Sequence, residues 1–208
     1  MNYVPNGLHE LNLIKERHNL VEKSSRKNLL ISGGNTLYAN NLFSMCVKSI
    51  IENPIKEVDI VFVDKNIMPG KIPSWMKKAS FDKEMYNSLI ACICRPGVGT
   101  LTEAIYYGVR IFTLFEKNNL EMINNNNALN KLNLGENIHS IHSLNKQICN
   151  FIRNRDRIQK QISNCDKIDF NGSIQISKVI SKIIISNNSL KDLSSWELVI
   201  IRKFIISA

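Results

Sequence analysis

One stretch of the chain, residues 89–135, constrains the fold more than any other. It opens with Leu89–Cys94, a continuous apolar run bounded by turn residues, which is typical of a buried parallel strand. A turn at residues 95–99 follows, and the apolar spacing of residues 100–107 then indicates a helix that Gly108 ends. The stretch therefore predicts a strand, a glycine-containing turn and a helix in direct succession.

The same alternation of strands and helices extends along most of the chain. Strand-like segments lie at residues 28–32, 58–63, 109–115 and 137–141, and helical patterns at residues 39–50, 118–134 and 145–161. Helices that alternate with strands indicate a parallel sheet with helices on both faces. We therefore predict an α/β protein with a Rossmann-like, doubly wound parallel sheet, in which Gly135 closes the helix at residues 118–134 and residues 64–80 form a loop.

The composition along the chain suggests three segments. Residues 1–27 are polar and form a lead-in segment, residues 28–188 form the sheet domain, and residues 189–208 form an apolar tail that also contains Arg202 and Lys203. Such a tail packs on the core, on a partner or on a membrane surface. Because no run of about 18 apolar residues and no signal-peptide pattern is present, we expect a cytoplasmic protein, at most with a peripheral contact at the cytoplasmic face of the membrane.

The net charge of +9 calls for an anionic partner. Nucleotide phosphates and an anionic membrane surface both fit, whereas the dispersed basic residues and the lack of a recognised motif argue against nucleic acid. His139 and His142 have no further ligands near them in the sequence, so we expect no metal site. The five scattered cysteines indicate a reducing compartment, and we expect Cys92 and Cys94 to point to opposite faces of their strand.

The chemistry of the turn at residues 95–99 favours an anion. Gly97 and Gly99 allow the backbone to approach a ligand closely, and the first N–H groups of a helix lack intrahelical partners. Thr100 adds a hydroxyl, and Arg95 places a positive charge at the carboxyl end of the strand. Glu103, one helical turn later, would repel a phosphate but suits a diol such as ribose. Phosphate donors beside a diol acceptor predict a nucleotide site.

A purely structural interpretation fits the same local pattern. Thr100-x-x-Glu103 is a capping box, in which the two side chains satisfy unpaired N–H groups at the start of a helix. The turn matches neither a Walker loop nor the six-residue dinucleotide fingerprint. The local pattern alone leaves the structural and the nucleotide-binding interpretations open.

The order of these residues resembles the donor-binding half of GT-B glycosyltransferases, and family 28 in particular. That family includes the enzyme that adds N-acetylglucosamine to the lipid-linked peptidoglycan precursor. Its pattern is Arg-x-Gly and a small residue, then Thr-x-x-Glu, Gly-x-Pro, and a Gln shortly before Asn-Ala. This chain has Arg95-Pro96-Gly97-Val98-Gly99-Thr100-Leu101-Thr102-Glu103-Ala104, then Gly108-Val109, Asn127-Ala128 and Leu134-Gly135.

The resemblance implies roles for the residues of the turn. Gly99 and Thr100 would contact the diphosphate of a UDP-sugar donor, together with the backbone of Gly97 and Val98. Glu103 would contact the ribose hydroxyls. GT-B transfer needs no metal or other cofactor, because helix N-termini and cationic groups stabilise the leaving diphosphate.

Other parts of the chain take roles from the same resemblance. Gly33, Gly34 and Asn35 follow the first predicted strand, and a Gly-Gly loop in this position closes over the nucleotide from the other side. The backbone near Phe81 would lie beside the uracil. For the side chains of Phe81 and Met85 themselves, core packing is the preferred explanation.

The residues that would face the donor sugar depart from the family pattern. Asn127 matches a sugar-facing position, but Asn124 stands where a sugar-contacting Gln is usual, and Ile123 replaces a polar neighbour. Arg110 stands where the family has Pro. The resemblance therefore implies a UDP-sugar, with N-acetylglucosamine as one candidate, and leaves the sugar open.

The resemblance covers about residues 28–145, which is only one half of a GT-B enzyme. The missing half binds the acceptor and carries the catalytic base, and no residue here is identified as that base. We therefore expect a donor-binding domain or subunit whose partner protein binds the acceptor. A non-catalytic nucleotide-sugar-binding protein and a related nucleotide-sugar hydrolase are the alternatives, and a hydrolase would need a base to activate water.

Overall fold

The computed structural model describes residues 26–34, 36–116, 118–166 and 168, and the predicted lead-in before residue 26, Asn35 and the tail lie outside them. The strands are β1 Asn28–Ser32, β2 Ile60–Val63, β3 Met76–Lys78, β4 Leu89–Cys94, β5 Arg110–Thr113 and β6 Gly135–Asn137. The helices are α1 Leu37–Glu52, α2 Lys83–Ser88, α3 Val98–Tyr106, α4 Leu120–Lys131, α5 Leu144–Ile152 and α6 Arg155–Asp166. Short 3₁₀ turns lie at Lys65–Ile67 and Ile141–Ser143.

The strands form one six-stranded sheet in the order β3-β2-β1-β4-β5-β6, and every neighbouring pair is parallel. The first three strands run outward from β1 in one direction, and the last three run outward from β4 in the other. The order therefore reverses between β1 and β4, which is the position where open α/β sheets bind ligands. The predicted Rossmann-like, doubly wound parallel sheet is confirmed.

The core lies on both sides of the sheet. All six residues of β4 are buried, which explains the continuous apolar run in the sequence. Helix α1 packs against the sheet through an apolar stripe at helical spacing, and this stripe consists of Ala39, Phe43, Cys46, Val47 and Ile50. Farther along the sheet, the rings of Phe112 and Phe151 meet edge to face at 6.2 Å.

Strand β3 lies inside the segment that the sequence predicts to be a loop. Only Met76 of its three residues is buried, and Lys77 and Lys78 are exposed. It forms an edge of the sheet, where a short strand with lysines resists pairing with other chains. A three-residue strand with two lysines carries no hydrophobic pattern, so the loop prediction is wrong at this point.

The helix predicted at residues 145–161 is two helices. Helix α5 ends at Ile152, and the side chain of Asn154 accepts a hydrogen bond from the backbone N–H of Arg157 at 3.0 Å. Asn154 thus caps the start of α6. The last predicted strand is displaced as well, because β6 ends at Asn137 and Ser140 caps the 3₁₀ turn that follows it.

Gly108 acts as the sequence suggests, and Gly135 does not. Gly108 ends α3 with φ of 68°, and N–H groups at and after it bond to the carbonyls of Ile105 and Ala104. Gly135 does not close α4, which ends at Lys131. It opens β6, where an added Cβ would come within 2.8 Å of the Ile111 carbonyl oxygen, so close strand packing requires it.

Buried polar side chains hold the amino edge of the sheet, where its strands begin. Arg26 donates to the carbonyls of Leu89 at 3.3 Å and Tyr107 at 2.7 Å, and its burial lowers its pKa to about 10. Arg110 donates to the Asn133 carbonyl and to the Gln161 side chain, both at 3.0 Å. Arg110 therefore ties β5 to the segment before β6 and to α6.

Gln161 completes this arrangement from α6. It is buried, and its amide N–H groups donate to the carbonyls of Val109 at 3.3 Å and Leu134 at 3.0 Å. Arg26, Arg110 and Gln161 thus form a cluster of buried polar side chains at the amino edge. Each satisfies backbone carbonyls at the start of a strand, as buried polar groups require.

The prediction that Cys92 and Cys94 face opposite sides of β4 is wrong. Residues two apart in a strand share a face, and the two Sγ atoms lie 4.0 Å apart and fully buried. The hydrogen bond with Cys94 and burial raise the pKa of Cys92, which disfavours its thiolate form. No helix in the described ranges is long and apolar enough to cross a bilayer.

Candidate functional site

The candidate site lies at the carboxyl edge of the sheet, where β1 and β4 end side by side. Ser32 and Cys94 are paired in register, and the N–H of Arg95 donates to the Ser32 carbonyl at 3.3 Å. The loops that follow these two strands therefore leave the sheet together. They flank the point at which the strand order reverses.

The two glycines after β1 have different roles. Gly33 is packed beneath α1, since an added Cβ would lie 3.0 Å from the Phe43 ring. Gly34 has φ of 79°, a conformation that favours glycine, and an added Cβ there would lie 3.9 Å from Cδ of Arg95. The structure thus brings Gly34 and Arg95 together across the reversal point. The predicted contact residue Asn35 lies outside the described residues.

Helix α3 begins without a side-chain cap. Its N-cap is Gly97, and the helix starts at Val98, two positions earlier than the sequence predicts. Thr100 is therefore the third residue of the helix and cannot cap it, so the capping-box interpretation of Thr100 and Glu103 is wrong. The N–H groups of the first turn have no intrahelical partner and form the positive end of the helix dipole.

The helices that follow β1, β3 and β5 are capped, whereas α5, like α3, begins without a side-chain cap hydrogen bond. The side chains of Thr36, Asp82 and Asn119 accept hydrogen bonds from the first turns of α1, α2 and α4. The lack of a cap at α3 therefore distinguishes the helix that follows the central strand from its three neighbours. An uncapped first turn is available to hold an anion.

The space in front of the α3 N-terminus is open. An added Cβ at Gly97 or at Gly99 would meet no atom within 4 Å, and Val98 is 44% exposed. Behind the turn, the buried Asn125 of α4 donates to the Pro96 carbonyl at 2.8 Å. The turn is thus anchored on one side and free on the other, as a backbone anion site requires.

Glu103 lies on α3 one turn beyond Thr100. Its side chain is exposed, yet partial desolvation of its carboxyl raises its pKa above the usual value. Burial raises the pKa of Tyr86, and the nearby Glu103 charge contributes to that shift. The Glu103 carboxylate therefore lies near the buried Tyr86 and remains accessible from solvent. This placement is compatible with a hydrogen bond to a ligand hydroxyl.

Arg95 is half-buried and paired with an acid that the sequence interpretation did not include. Its Nε–H donates to Oε2 of Glu116 at 3.1 Å, and its Nη2–H donates to Oε1. Asn119 donates to Glu116 Oε1 at 3.1 Å. The pair raises the pKa of Arg95 and lowers that of Glu116. Glu116 follows β5, and its distance in sequence from Arg95 hides the pairing.

Phe81 departs from core packing. It has φ of 56°, a conformation that bulky side chains rarely adopt, and it is 44% exposed at the carboxyl end of β3. Met85 is 3% exposed and packs in the core. The core-packing interpretation therefore holds for Met85 and is wrong for Phe81. A strained, exposed aromatic residue of this kind suggests a functional role.

The four consecutive asparagines of α4 lie in two different environments. Asn124 and Asn127, which the resemblance singles out, are exposed. Asn125 and Asn126 are buried, and Oδ1 of Asn126 accepts from the Thr113 hydroxyl at 2.6 Å. The buried pair holds α4 against the turn after β4 and against β5. The run of asparagines therefore combines two structural residues with two that are free for other contacts.

The described part of the chain contains no group of three or more His, Cys, Asp or Glu residues arranged to hold a metal ion. His139 and His142 lie on the surface in the segment after β6. No pKa shift or hydrogen bond in the described residues marks a general base. The polar groups that converge at the edge are backbone N–H groups, Thr100, Glu103 and the Arg95–Glu116 pair.

No protein-family model matches the sequence, and no curated protein matches it. Solved structures of GT-B glycosyltransferases do match the fold. MurG of Acinetobacter baumannii is 18% identical, with a TM-score of 0.57 over 80% of this chain and 53% of its own length. SnogD from Streptomyces nogalater is 15% identical, with a TM-score of 0.55 over 87% of this chain and 49% of its own.

A third similar structure is the spinosyn rhamnosyltransferase SpnG in complex with thymidine diphosphate. It is 16% identical, with a TM-score of 0.56 over 81% of this chain and 47% of its own length. Identities this low establish likeness of fold alone. The fold is similar to that of a GT-B half-domain, and the chain spans about half the length of the solved structures that it matches.

Proposed function

We propose that this chain is the donor-binding domain or subunit of a GT-B-type glycosyltransferase and that it binds a UDP-sugar. The observation that carries the proposal is the uncapped N-terminus of α3, which opens onto free space at the reversal point of the sheet. Backbone N–H groups at a helix start suit a diphosphate. The matching glycosyltransferase folds make a sugar nucleotide the preferred ligand.

In this proposal the diphosphate lies against the first turn of α3. The backbone N–H groups of Val98, Gly99 and Thr100 receive its negative charge, and the Thr100 hydroxyl adds a donor. The same groups stabilise the charge that develops on the diphosphate as the sugar leaves. Gly34 gives the ligand room on the opposite side of the crevice. Transfer then proceeds without a metal ion.

Glu103 and Phe81 account for the nucleoside in the same proposal. Glu103 accepts hydrogen bonds from the ribose hydroxyls, which are strong because the acceptor is charged. Phe81 presents an exposed ring and a strained backbone at the same edge, where a uracil ring can pack. The exposed side chains of Asn124 and Asn127 are the candidates for contact with the sugar, and N-acetylglucosamine is one sugar that they suit.

The acceptor side is proposed to come from elsewhere. The chain spans about half the length of the matching glycosyltransferases, and its described residues contain no marked general base. An acceptor-binding protein subunit, or a further domain, would bring the acceptor and the base to the open crevice. Such an assembly would work in the cytoplasm, with any membrane contact at the cytoplasmic face.

A calorimetric titration of the full chain with UDP-N-acetylglucosamine in the presence of a chelator tests the donor proposal. We expect binding without divalent metal, and competition by UDP. Guanosine diphosphate serves as the control for base recognition, and it should bind more weakly. Binding that appears only after magnesium or manganese is added would contradict the proposal.

A second experiment tests the need for a partner. The full chain alone should transfer sugar poorly to a panel of lipid and sugar acceptors, because it spans about half the length of the matching glycosyltransferases. The same chain recovered from its native host should bring the acceptor-binding protein with it. Robust transfer by the purified chain would contradict the subunit proposal while leaving donor binding intact.

A further inference from the structure

We infer that Glu116 is a built-in counter-anion of Arg95 that weakens binding of the nucleoside diphosphate product more than binding of the nucleotide-sugar donor. The inference rests on the proposed function and adds a residue that sets the product affinity of the same site. It begins from an ion pair at the mouth of the crevice. Arg95 is the side chain that joins the loops after β1, β4 and β5.

The geometry places Arg95 across three neighbouring loops. The residue follows β4, its Cδ lies beside Gly34 after β1, and its guanidinium reaches Glu116 after β5. Both carboxylate oxygens of Glu116 accept from the guanidinium. Two parallel bonds of this type align an arginine and a carboxylate in one plane. The cation nearest the α3 N-terminus in the chain sequence is thus already bound to an acid.

Glu116 is itself held in place. The amide of Asn119 donates to Oε1 of Glu116 at 3.1 Å, while Oδ1 of Asn119 caps α4 at Met122. The carboxylate is therefore fixed by the start of α4 and does not swing freely. Glu121, in the first turn of α4, adds a second negative charge near Arg95 without a hydrogen bond to it.

The net charge of the side chains around Arg95 does not favour the binding of an anion. Arg95 contributes one positive charge, and Glu116 and Glu121 contribute two negative charges. A phosphate that approaches Arg95 must compete with Glu116 for the same guanidinium or accept repulsion from it. The open N–H groups of α3 still attract the phosphate, so the site binds a diphosphate with reduced affinity.

The loss of affinity that Glu116 causes depends on the charge of the ligand. The terminal phosphate of UDP is bonded only to the neighbouring phosphate and carries about −1.5 to −2 charges at neutral pH, whereas in a UDP-sugar the same phosphate is also esterified to the sugar and carries about one charge. Repulsion from Glu116 therefore weakens UDP more than UDP-sugar. The product is released more readily than it would be from a site with a free arginine, and product release limits turnover in many enzymes.

The test compares dissociation constants for UDP and UDP-N-acetylglucosamine by calorimetry of the full chain in chelator. Glu116→Gln keeps the shape of the side chain and removes its charge. We expect it to tighten UDP by about tenfold, which corresponds to about 1.4 kcal/mol, and UDP-N-acetylglucosamine by about threefold, because the donor carries less charge on the same phosphate. Glu116→Asp keeps the charge on a shorter side chain and should tighten both ligands less.

Two further variants complete the test. Glu121→Gln removes a nearby charge that makes no hydrogen bond, and it should tighten both ligands by less than about twofold. In an Arg95→Gln background, Glu116→Gln should tighten UDP by a smaller factor than in the parent, because the competition for Arg95 is lost and only the direct repulsion between Glu116 and the phosphate remains. Thermal melting of each variant confirms that the chain is folded.

The outcomes separate this inference from the proposed function. If the parent chain binds UDP and Glu116→Gln binds it equally or more weakly, Glu116 is a positioning residue for Arg95 and the inference is overturned. Equal tightening of UDP and UDP-N-acetylglucosamine overturns the product preference. If the parent and all variants fail to bind either ligand, the proposed function fails and the inference fails with it.

Discussion

The two edges of the sheet treat their polar groups in opposite ways. At the amino edge, Arg26, Arg110 and Gln161 are buried and donate to the carbonyls that precede the strands. At the carboxyl edge, α3 starts without a side-chain cap, and an added Cβ at Gly97 or Gly99 would meet no atom of the described residues within 4 Å. Groups that the chain satisfies internally stabilise the fold, and groups that it leaves open are available to a ligand.

Strain follows the same division. Among the described residues, the non-glycine positions with positive φ are Phe81 and Asn133. Asn133 ends α4, where asparagine tolerates this conformation, whereas Phe81 is an exposed aromatic at the carboxyl edge. Stability and binding should therefore respond separately to substitutions at the two edges.

The largest expected effect is on stability, at the amino edge. Gln161→Leu removes a buried partner of Arg110 and a donor to the carbonyls of Val109 and Leu134, so it should lower the free energy of unfolding by about 2–4 kcal/mol. Gln159→Leu on the same helix changes an exposed residue and should cost less than about 0.5 kcal/mol. Urea unfolding measures both. UDP-sugar affinity of the folded protein should stay unchanged, and a tenfold loss with Gln161→Leu would break the separation.

Glu103 gives the opposite result at the carboxyl edge. Glu103→Gln should weaken UDP-sugar binding by about tenfold, because it removes the charge from hydrogen bonds worth about 1.5–3 kcal/mol each. Because no capping box exists, both Glu103→Gln and Glu103→Ala should change stability by less than about 0.5 kcal/mol. Calorimetry and thermal melting measure the two effects. A variant that melts much lower, or binds as well as the parent, contradicts the assigned role.

The pH dependence of binding sharpens the role of Glu103. Partial desolvation raises the pKa of Glu103, so its carboxylate becomes protonated at a higher pH than that of an ordinary glutamate. Protonation removes the charged acceptor of the ribose hydroxyls. UDP-sugar affinity should therefore fall as the pH drops through this raised pKa, starting above the ordinary range of roughly pH 4–5. The phosphates of a UDP-sugar keep their charge over this range. Glu103→Gln should show a flat profile, and an unchanged slope in that variant would rule out Glu103 as the titrating group.

The smallest effect concerns the strain at Phe81. Phe81→Gly and Phe81→Ala both remove the ring, but only glycine relieves the positive φ, so the glycine variant should be more stable than the alanine variant by about 1 kcal/mol. Both variants should weaken UDP-sugar binding by a similar factor. Chemical denaturation and calorimetry separate strain from contact. Equal stability of the two variants would show that the backbone is not strained.

Local patterns in the sequence predict most of the fold. The apolar run of β4 and the stripe of α1 each specify their own structure, because burial on a strand or one helix face imposes a period on the residues. Strand β3 cannot be predicted in this way, because its lysines give no hydrophobic pattern and it forms through its pairing with β2. The end of α4 at Lys131 cannot be predicted from the pattern either, because Asn133 adopts a backbone conformation that is usually taken by glycine.

The sequence likewise predicts only part of the candidate site. The glycine turn and the helix after it are contiguous in sequence, so their place at the carboxyl edge follows from the strand–turn–helix order. The Arg95–Glu116 pair joins residues 21 positions apart, and Asn125 reaches Pro96 across 29 positions. Such contacts depend on how α4 packs beside the turn. Nor does the sequence fix which asparagines of α4 are buried, because four in a row occupy every side of the helix.

Amide hydrogen exchange with and without UDP, in chelator, tests the central claim most directly. The first-turn amides of α3 at Val98, Gly99 and Thr100 have no intrahelical partner, so they should exchange fast in the free protein. We predict that UDP protects these amides together with Gly34, and that amides of α6 around Gln161 stay unchanged. Protection that spares the start of α3, or that appears at the amino edge instead, would contradict the account.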